Sequence, residues 1–102
     1  MANSLTGRVA LVTGGSQGIG RAVAVALAEA GADVAVCARG MSGLEATAEA
    51  VRATGRRSFA VTCDVTNPQQ VSRLPGAVAE ALGRIDILVN NAGAAESHKF
   101  VG

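Results

Sequence analysis

The apolar run Val9-Ala10-Leu11-Val12 passes directly into Thr13-Gly14-Gly15-Ser16-Gln17-Gly18-Ile19-Gly20. This junction restricts the fold more than any other segment. Four apolar residues in a row suit a strand buried on both faces, as in a parallel sheet. From Ile19 to Ala30, Ile19, Val23, Ala26, Leu27 and Ala30 recur three and four apart, as on one helix face. Gly31 stands where a helix C-cap would. Strand, glycine turn and helix in that order suit an anion site. A phosphate is approached by backbone N–H groups, any Cβ at the contact would hold it away, and the helix N-terminus adds partial positive charge. Gly14, Gly18 and Gly20 take the strand end, the close approach and the helix–sheet packing position. The bland alternative is a tight turn with no ligand.

The rest of the chain repeats the alternation. Val34 to Cys37 is expected as a second strand. Ser42 is expected to cap a second helix in which Leu44, Thr47, Ala48 and Val51 share one face, ended by Gly55. Ser58 to Cys63 reads as the third strand. Asn67-Pro68 combines a capping side chain with proline at the first helical position, and that third helix runs toward Ala81 and Gly83. Proline at position 75, followed by Gly76, removes the bond to the Val71 carbonyl, so a kink or break near Leu74 is expected. Ile85 to Val89 is the fourth strand. Such alternation implies an α/β fold, a parallel sheet with helices on both faces. With right-handed crossovers in the Rossmann-like layout, the strand order is 3-2-1-4.

The octet Thr13–Gly20 matches the motif Thr-Gly-x3-Gly-x-Gly, and Asn90-Asn91-Ala92-Gly93 ends the fourth strand. Together they resemble the cofactor half of the short-chain dehydrogenase/reductase family, including its 3-oxoacyl-carrier-protein reductase-like members. The resemblance covers residues 5 to 93 and includes Asp64-Val65 and Asp86-Ile87-Leu88-Val89. It implies a partial dinucleotide-binding domain over 1–93, a tail over 94–102, and a nicotinamide dinucleotide as partner. Thr13, Gly14, Ser16, Gln17, Gly18, Ile19 and Gly20 would border the cofactor. Asp64 would accept from the adenine amino group with Val65 adding backbone, Asn90 would join neighbouring strands, and Ala92 and Gly93 would admit the ribose. Locally, Asp64 also reads as a turn-stabilising residue, Asp86 as structural, and Arg21 as facing solvent.

Where NAD-using members carry a carboxylate at the end of strand two, this chain has Ala38 followed by Arg39. A missing carboxylate removes repulsion toward a 2′-phosphate, and a guanidinium attracts it. NADP(H) is therefore favoured over NAD(H), with a plain surface role for Arg39 as the alternative. Asp33 lies at the wrong end of the strand and Glu45 inside the next helix. Many NADP-using members have a basic residue just before Gly-Ile-Gly, where this chain has Gln17.

The resemblance implies catalysis by a tyrosine, a lysine four residues later, a serine and an asparagine, all expected beyond Gly102. The chain contains no tyrosine. Ser97 and Lys99 lie too close to the second motif to take those roles, and His98 reads as a polar tail residue. No catalytic residue and no metal site are assigned. The leading expectation is the N-terminal part of a short-chain oxidoreductase acting on a carbonyl/alcohol pair, truncated and inactive alone, without the family's oligomer interface and with strand four as an uncovered, aggregation-prone edge. A stand-alone, non-catalytic nucleotide-binding module and a non-functional truncation product are the alternatives. A net charge of +1 and 2% aromatic residues give no basic patch for nucleic acid. Arg56-Arg57 reads as a solvated loop. No signal-peptide pattern or membrane-length apolar stretch is read. Cys37 and Cys63 read as reduced core thiols, consistent with a cytoplasmic protein.

Overall fold

The structure is a computed structural model describing residues 4–91. Strands and helices alternate along them: β1 (Val9–Thr13), α1 (Gly18–Glu29), β2 (Asp33–Ala38), α2 (Leu44–Arg52), β3 (Ser58–Thr62), α3 (Pro68–Ala81) and β4 (Ile87–Asn90). The strands form one parallel sheet in the order β3-β2-β1-β4. That is the expected Rossmann-like order. β1 lies between two partners, Ala10 facing Val34 on one side and Ile87 on the other.

Side chains alternate across a strand, so each strand feeds two cores. Ala10, Val12, Val34 and Val36 pack with Ala24 and Ala28 of α1 and with Leu44 and Val51 of α2. Val9, Leu11, Ala35 and Cys37 pack on the opposite side with Leu74 and Val78 of α3. Helices therefore cover both faces. The buried row of α2 is the expected one, Leu44, Thr47, Ala48 and Val51.

The buried row of α1 is not. It is Gly20, Ala24 and Ala28, and Ile19 is 72% exposed. The smallest residues, not the largest, meet the sheet. Val23 and Leu27 are only partly buried beside them. α3 continues through Pro75 as one helix, so the break expected there does not occur. Pro75 is exposed, while Leu74 and Val78 on either side of it are buried in one core. Burial of about 1.5–3 kcal/mol per large apolar side chain offsets the proline penalty of about 3 kcal/mol. Asn67 caps α3 as expected, its Oδ1 accepting from Gln69 N and Gln70 N. α2 differs again: its N-cap is Gly43, with no side-chain cap bond, instead of Ser42.

Arg57 is exposed, as a solvated loop residue would be, but both Arg56 and Arg57 pair with Asp33. Arg57 Nε and Nη2 donate to Asp33 Oδ2 at 3.0 and 2.9 Å, and Arg56 Nη2 lies 3.4 Å from Asp33 Oδ1. Asp86 is structural, as read. Its Oδ2 accepts from Val9 N at 2.9 Å and its N–H donates to the Val9 carbonyl at 2.8 Å. Among the described residues no helix is long and apolar enough to cross a membrane.

Candidate functional site

At the C-terminal ends of β1, β2 and β3 the surface opens into a cleft of about 640 Å³. This is where open α/β sheets bind ligands. The glycine turn contributes Gly14, Ser16 and Gln17, the end of β2 contributes Ala38 and Arg39, and the segment after β3 contributes Asp64 and Val65. Six predicted site residues, distant in sequence, therefore share one cavity, with Ala38 beside them. The loop before α2 adds Ser42 and Gly43, which the sequence reading did not assign.

The glycines are required where they stand. Gly14 and Gly18 have φ of +66° and +59°, a region that side-chain-bearing residues rarely adopt. A Cβ on Gly20 would overlap the Gly14 carbonyl and approach Asn91 Nδ2 to 2.9 Å. Helix and turn thus meet backbone to backbone. Asn91, quoted with the second motif but given no role from sequence, donates from Nδ2 to the Gly14 carbonyl at 3.2 Å. The turn is held from beneath as well, Gly15 N donating to the Cys37 carbonyl at 3.1 Å. α1 begins with no side-chain cap and no acidic residue in its first turn. An anion at this end would satisfy its free N–H groups.

Thr13 Oγ1 donates to Asn90 Oδ1 at 2.9 Å, joining β1 to β4. These two do not line the cleft. They border a separate hollow of about 210 Å³ with Leu11, Leu74 and Leu88, on the α3 side. Gly18 and Ile19 are exposed and Gly20 is buried, none of them in the cleft wall. Ala92 and Gly93 lie outside the described residues.

Arg21 does not face open solvent. Its guanidinium donates to Ser16 O, Gly43 O and Thr47 Oγ1. Long-range bonds from a side chain to backbone carbonyls leave no sequence pattern, so nothing in the octet announced this.

Of the acids weighed from sequence, Asp33 is occupied by Arg56 and Arg57, and Glu45 lies on α2 within 3.9 Å of Arg52. Asp64 is the acid in the cleft wall among the described residues. Its Oδ1 accepts from Thr66 Oγ1 at 2.6 Å and Thr66 N at 2.9 Å, so the turn-stabilising role is real. Those bonds, with the charge of Arg39, hold its carboxyl below the usual carboxylate range against a small opposing effect of burial. Cys37 and Cys63 are free and buried, and burial with the neighbouring Cys63 pushes the Cys37 thiol up to about 12. Cys63 borders the cleft as an un-ionised thiol, raised by burial and by Asp64. No group of metal-ligating side chains occurs among the described residues.

Comparison with known proteins agrees with this geometry. The family model described as short chain dehydrogenase matches residues 8–101. An uncharacterized oxidoreductase of Mycobacterium tuberculosis is 46% identical over 89 residues, 87% of this chain and 34% of that protein. The rhamnolipids biosynthesis 3-oxoacyl-[acyl-carrier-protein] reductase of Pseudomonas aeruginosa is 48% identical over 90 residues, 88% of this chain and 35% of that protein. A crystal structure of a short chain dehydrogenase from Mycobacterium smegmatis superposes with a TM-score of 0.83 at 38% identity, covering 88% of this chain and 38% of that one. The chain spans about a third of the length of the curated relatives it matches.

Proposed function

The chain belongs to the short-chain dehydrogenase family, and from that premise we propose that it is the NADP(H)-binding N-terminal portion of an oxidoreductase acting on a carbonyl/alcohol pair. The observation that carries the reading is the cleft itself. It joins the glycine turn (Gly14, Ser16 and Gln17), Gln17 standing at the helix start without a side-chain cap bond, and Arg39 in one cavity, with no carboxylate from the end of β2. Residues 1–93 are taken as the dinucleotide-binding unit and 94–102 as the tail.

The cofactor fits the residues present. Gly14 borders the cleft without a side chain, a Cβ at the exposed Gly18 would meet nothing within 4 Å, and Gly20 lets α1 pack on the Gly14 carbonyl, which brings the helix start to the place a diphosphate would take. Arg39 offers a planar pair of donors to a 2′-phosphate. Asp64 is ionised and anchored to Thr66 through Oδ1, which leaves Oδ2 to accept from the adenine amino group, and Val65 adds its backbone. Thr13, Asn90 and Asn91 act from behind, fixing the turn to β4. The nicotinamide, when bound, supplies the two-electron transfer. With no tyrosine in the chain, the proton transfer that the reaction also needs is assigned to residues outside it. An acyl-thioester ketone is a reasonable substrate class by likeness to the Pseudomonas aeruginosa reductase.

Binding decides the matter. Excess NADPH at 100 times its Kd should stabilise the chain by about 2.7 kcal/mol. Changing Arg39 to Asp should weaken NADPH and leave NADH little affected. An unaltered preference in that variant would remove Arg39 from the assignment. No thermal shift with either nucleotide would refute the binding role and leave the chain a relative without a site.

A further inference from the structure

Arg21 projects from the first turn of α1 toward two loops at once. Nη2 donates to the Ser16 carbonyl at 2.6 Å and to the Gly43 carbonyl at 3.0 Å, and Nε donates to Thr47 Oγ1 at 2.9 Å. Thr47 is fully buried and donates in turn to the Gly43 carbonyl at 3.2 Å. Gly43 has φ of +77°, and a Cβ on it would stand 2.5 Å from the Ser16 oxygen. The glycine turn and the loop before α2 therefore touch backbone to backbone at the point where Arg21 joins them. Among the described residues no carboxylate pairs with this guanidinium. Its bonds all go to neutral oxygens, so its work is geometric.

Ser16 and Gly43 both border the cleft. Gln17 adjoins the first, and Arg39 and Ser42 share the loop of the second. The span between these loops sets how far a group bound at the turn lies from a group bound at Arg39. We propose that Arg21 is a positioning residue for cofactor selectivity, holding the turn and the 39–43 loop at the one separation that lets a diphosphate and a ribose 2′-phosphate be bound together. This rests on the NADP(H) reading above. Lysine at this position would keep the charge and lose the planar fork that bridges two carbonyls and a hydroxyl.

The test compares adenosine 2′,5′-bisphosphate, which reaches both loops, with ADP, which lacks the 2′-phosphate. Their affinities, and those of NADPH and NADH, are measured by calorimetry on the full chain and on R21K, T47V, R39A and R21K/R39A. R21K should weaken the bisphosphate roughly tenfold, as for loss of one bond from a charged donor, and ADP by less than about threefold. With Arg39 already removed, the same change should weaken the bisphosphate less than about threefold, because the group that Arg21 aligns is gone. T47V leaves the arginine in place and frees its Nε. It should shift the bisphosphate-to-ADP ratio the same way by a smaller factor, and it carries the test if R21K does not fold. Equal losses for both ligands, or additive effects of R21K and R39A, would overturn the proposal, since a purely structural arginine would act alike on both. Failure of the parent chain to bind any of these nucleotides would instead overturn the cofactor reading, and this inference with it.

Discussion

Replacing Asp33 with alanine should destabilise the chain while leaving the cleft able to bind. Asp33 opens β2 at the end of the sheet away from the site, and its side chain is only 12% exposed. Oδ1 accepts from Arg57 N at 3.0 Å, and Oδ2 accepts from Arg57 Nε and Nη2. Arg57 Nη2 also reaches the Leu82 carbonyl at 3.1 Å. One carboxylate thus ties the starts of β2 and β3 to the end of α3. Bonds to a charged partner contribute about 1.5–3 kcal/mol each. The Arg57 side chain is 63% exposed, however, and rehydrates once released. Its two bonds are therefore discounted toward the surface-pair level of about 0–1 kcal/mol. The stranded Arg57 N–H adds about 1–3 kcal/mol. The expected total is about 2–4 kcal/mol. At about 4–8 °C per kcal/mol for a domain of this size, Tm should fall by at least about 8 °C. Urea unfolding followed by circular dichroism reads the loss, and titration with NADPH at a temperature where both proteins are folded reads the site. An Asp33→Ala chain as stable as its parent would refute the reasoning. So would a parallel loss of affinity.

Acid should reveal the same cluster. Burial, the largest single effect, raises the Asp33 carboxyl, but the hydrogen bonds and charge of Arg57 and the charge of Arg56 outweigh it and bring it below 3.8. Stability linked to this group is complete above that unfolded value and is lost as pH falls through it toward the folded pKa. Asp33→Asn should remove that part of the slope, as read by urea midpoints between neutral pH and about pH 3. Gly20→Ala drives a Cβ into the Gly14 carbonyl. It should cost about 1–3 kcal/mol in a thermal scan and weaken NADPH, and wild-type affinity would mean that the turn yields without loss. Gly76→Ala meets nothing within 4 Å inside an exposed stretch of α3 and should stabilise by about 0.5–1 kcal/mol in the same scan.

Strand order and the glycine turn were legible because they depend on local pattern and chain chirality. Val9 to Val12 suited a doubly buried strand, and right-handed crossovers in the Rossmann-like layout gave the order. The Asn67 cap was legible for the same reason, since capping reaches two or three residues. The buried face of α1 was misread because apolar size was weighed above fit. Gly20, Ala24 and Ala28 carry little hydrophobicity, and they face inward because α1 packs hard on the turn. Arg21 and Arg57 were misread because the partners that tie them to other elements, Gly43, Asp33 and Thr47, lie 22 to 26 residues away. Charge on a helix or loop says nothing of which distant oxygen it will meet. Pro75 followed its local rule in losing a bond, but tertiary burial of Leu74 and Val78 decided the outcome.

The central place of β1 has a consequence for synthesis. Its pairing with β2 is available early, but its other edge waits for β4, 77 residues downstream of the partner it must meet. At about 5–20 residues per second on the ribosome, the interval between emergence of β2 and of β4 lasts several seconds. Through that time the five buried residues of β1 have one bare edge. The glycine turn is unfinished too, because the amide that holds the Gly14 carbonyl belongs to Asn91. Although the turn is made well before Asn91, its readiness for nucleotide arrives only after β4. A nascent chain stalled before Asn91 should therefore carry the motif without the affinity.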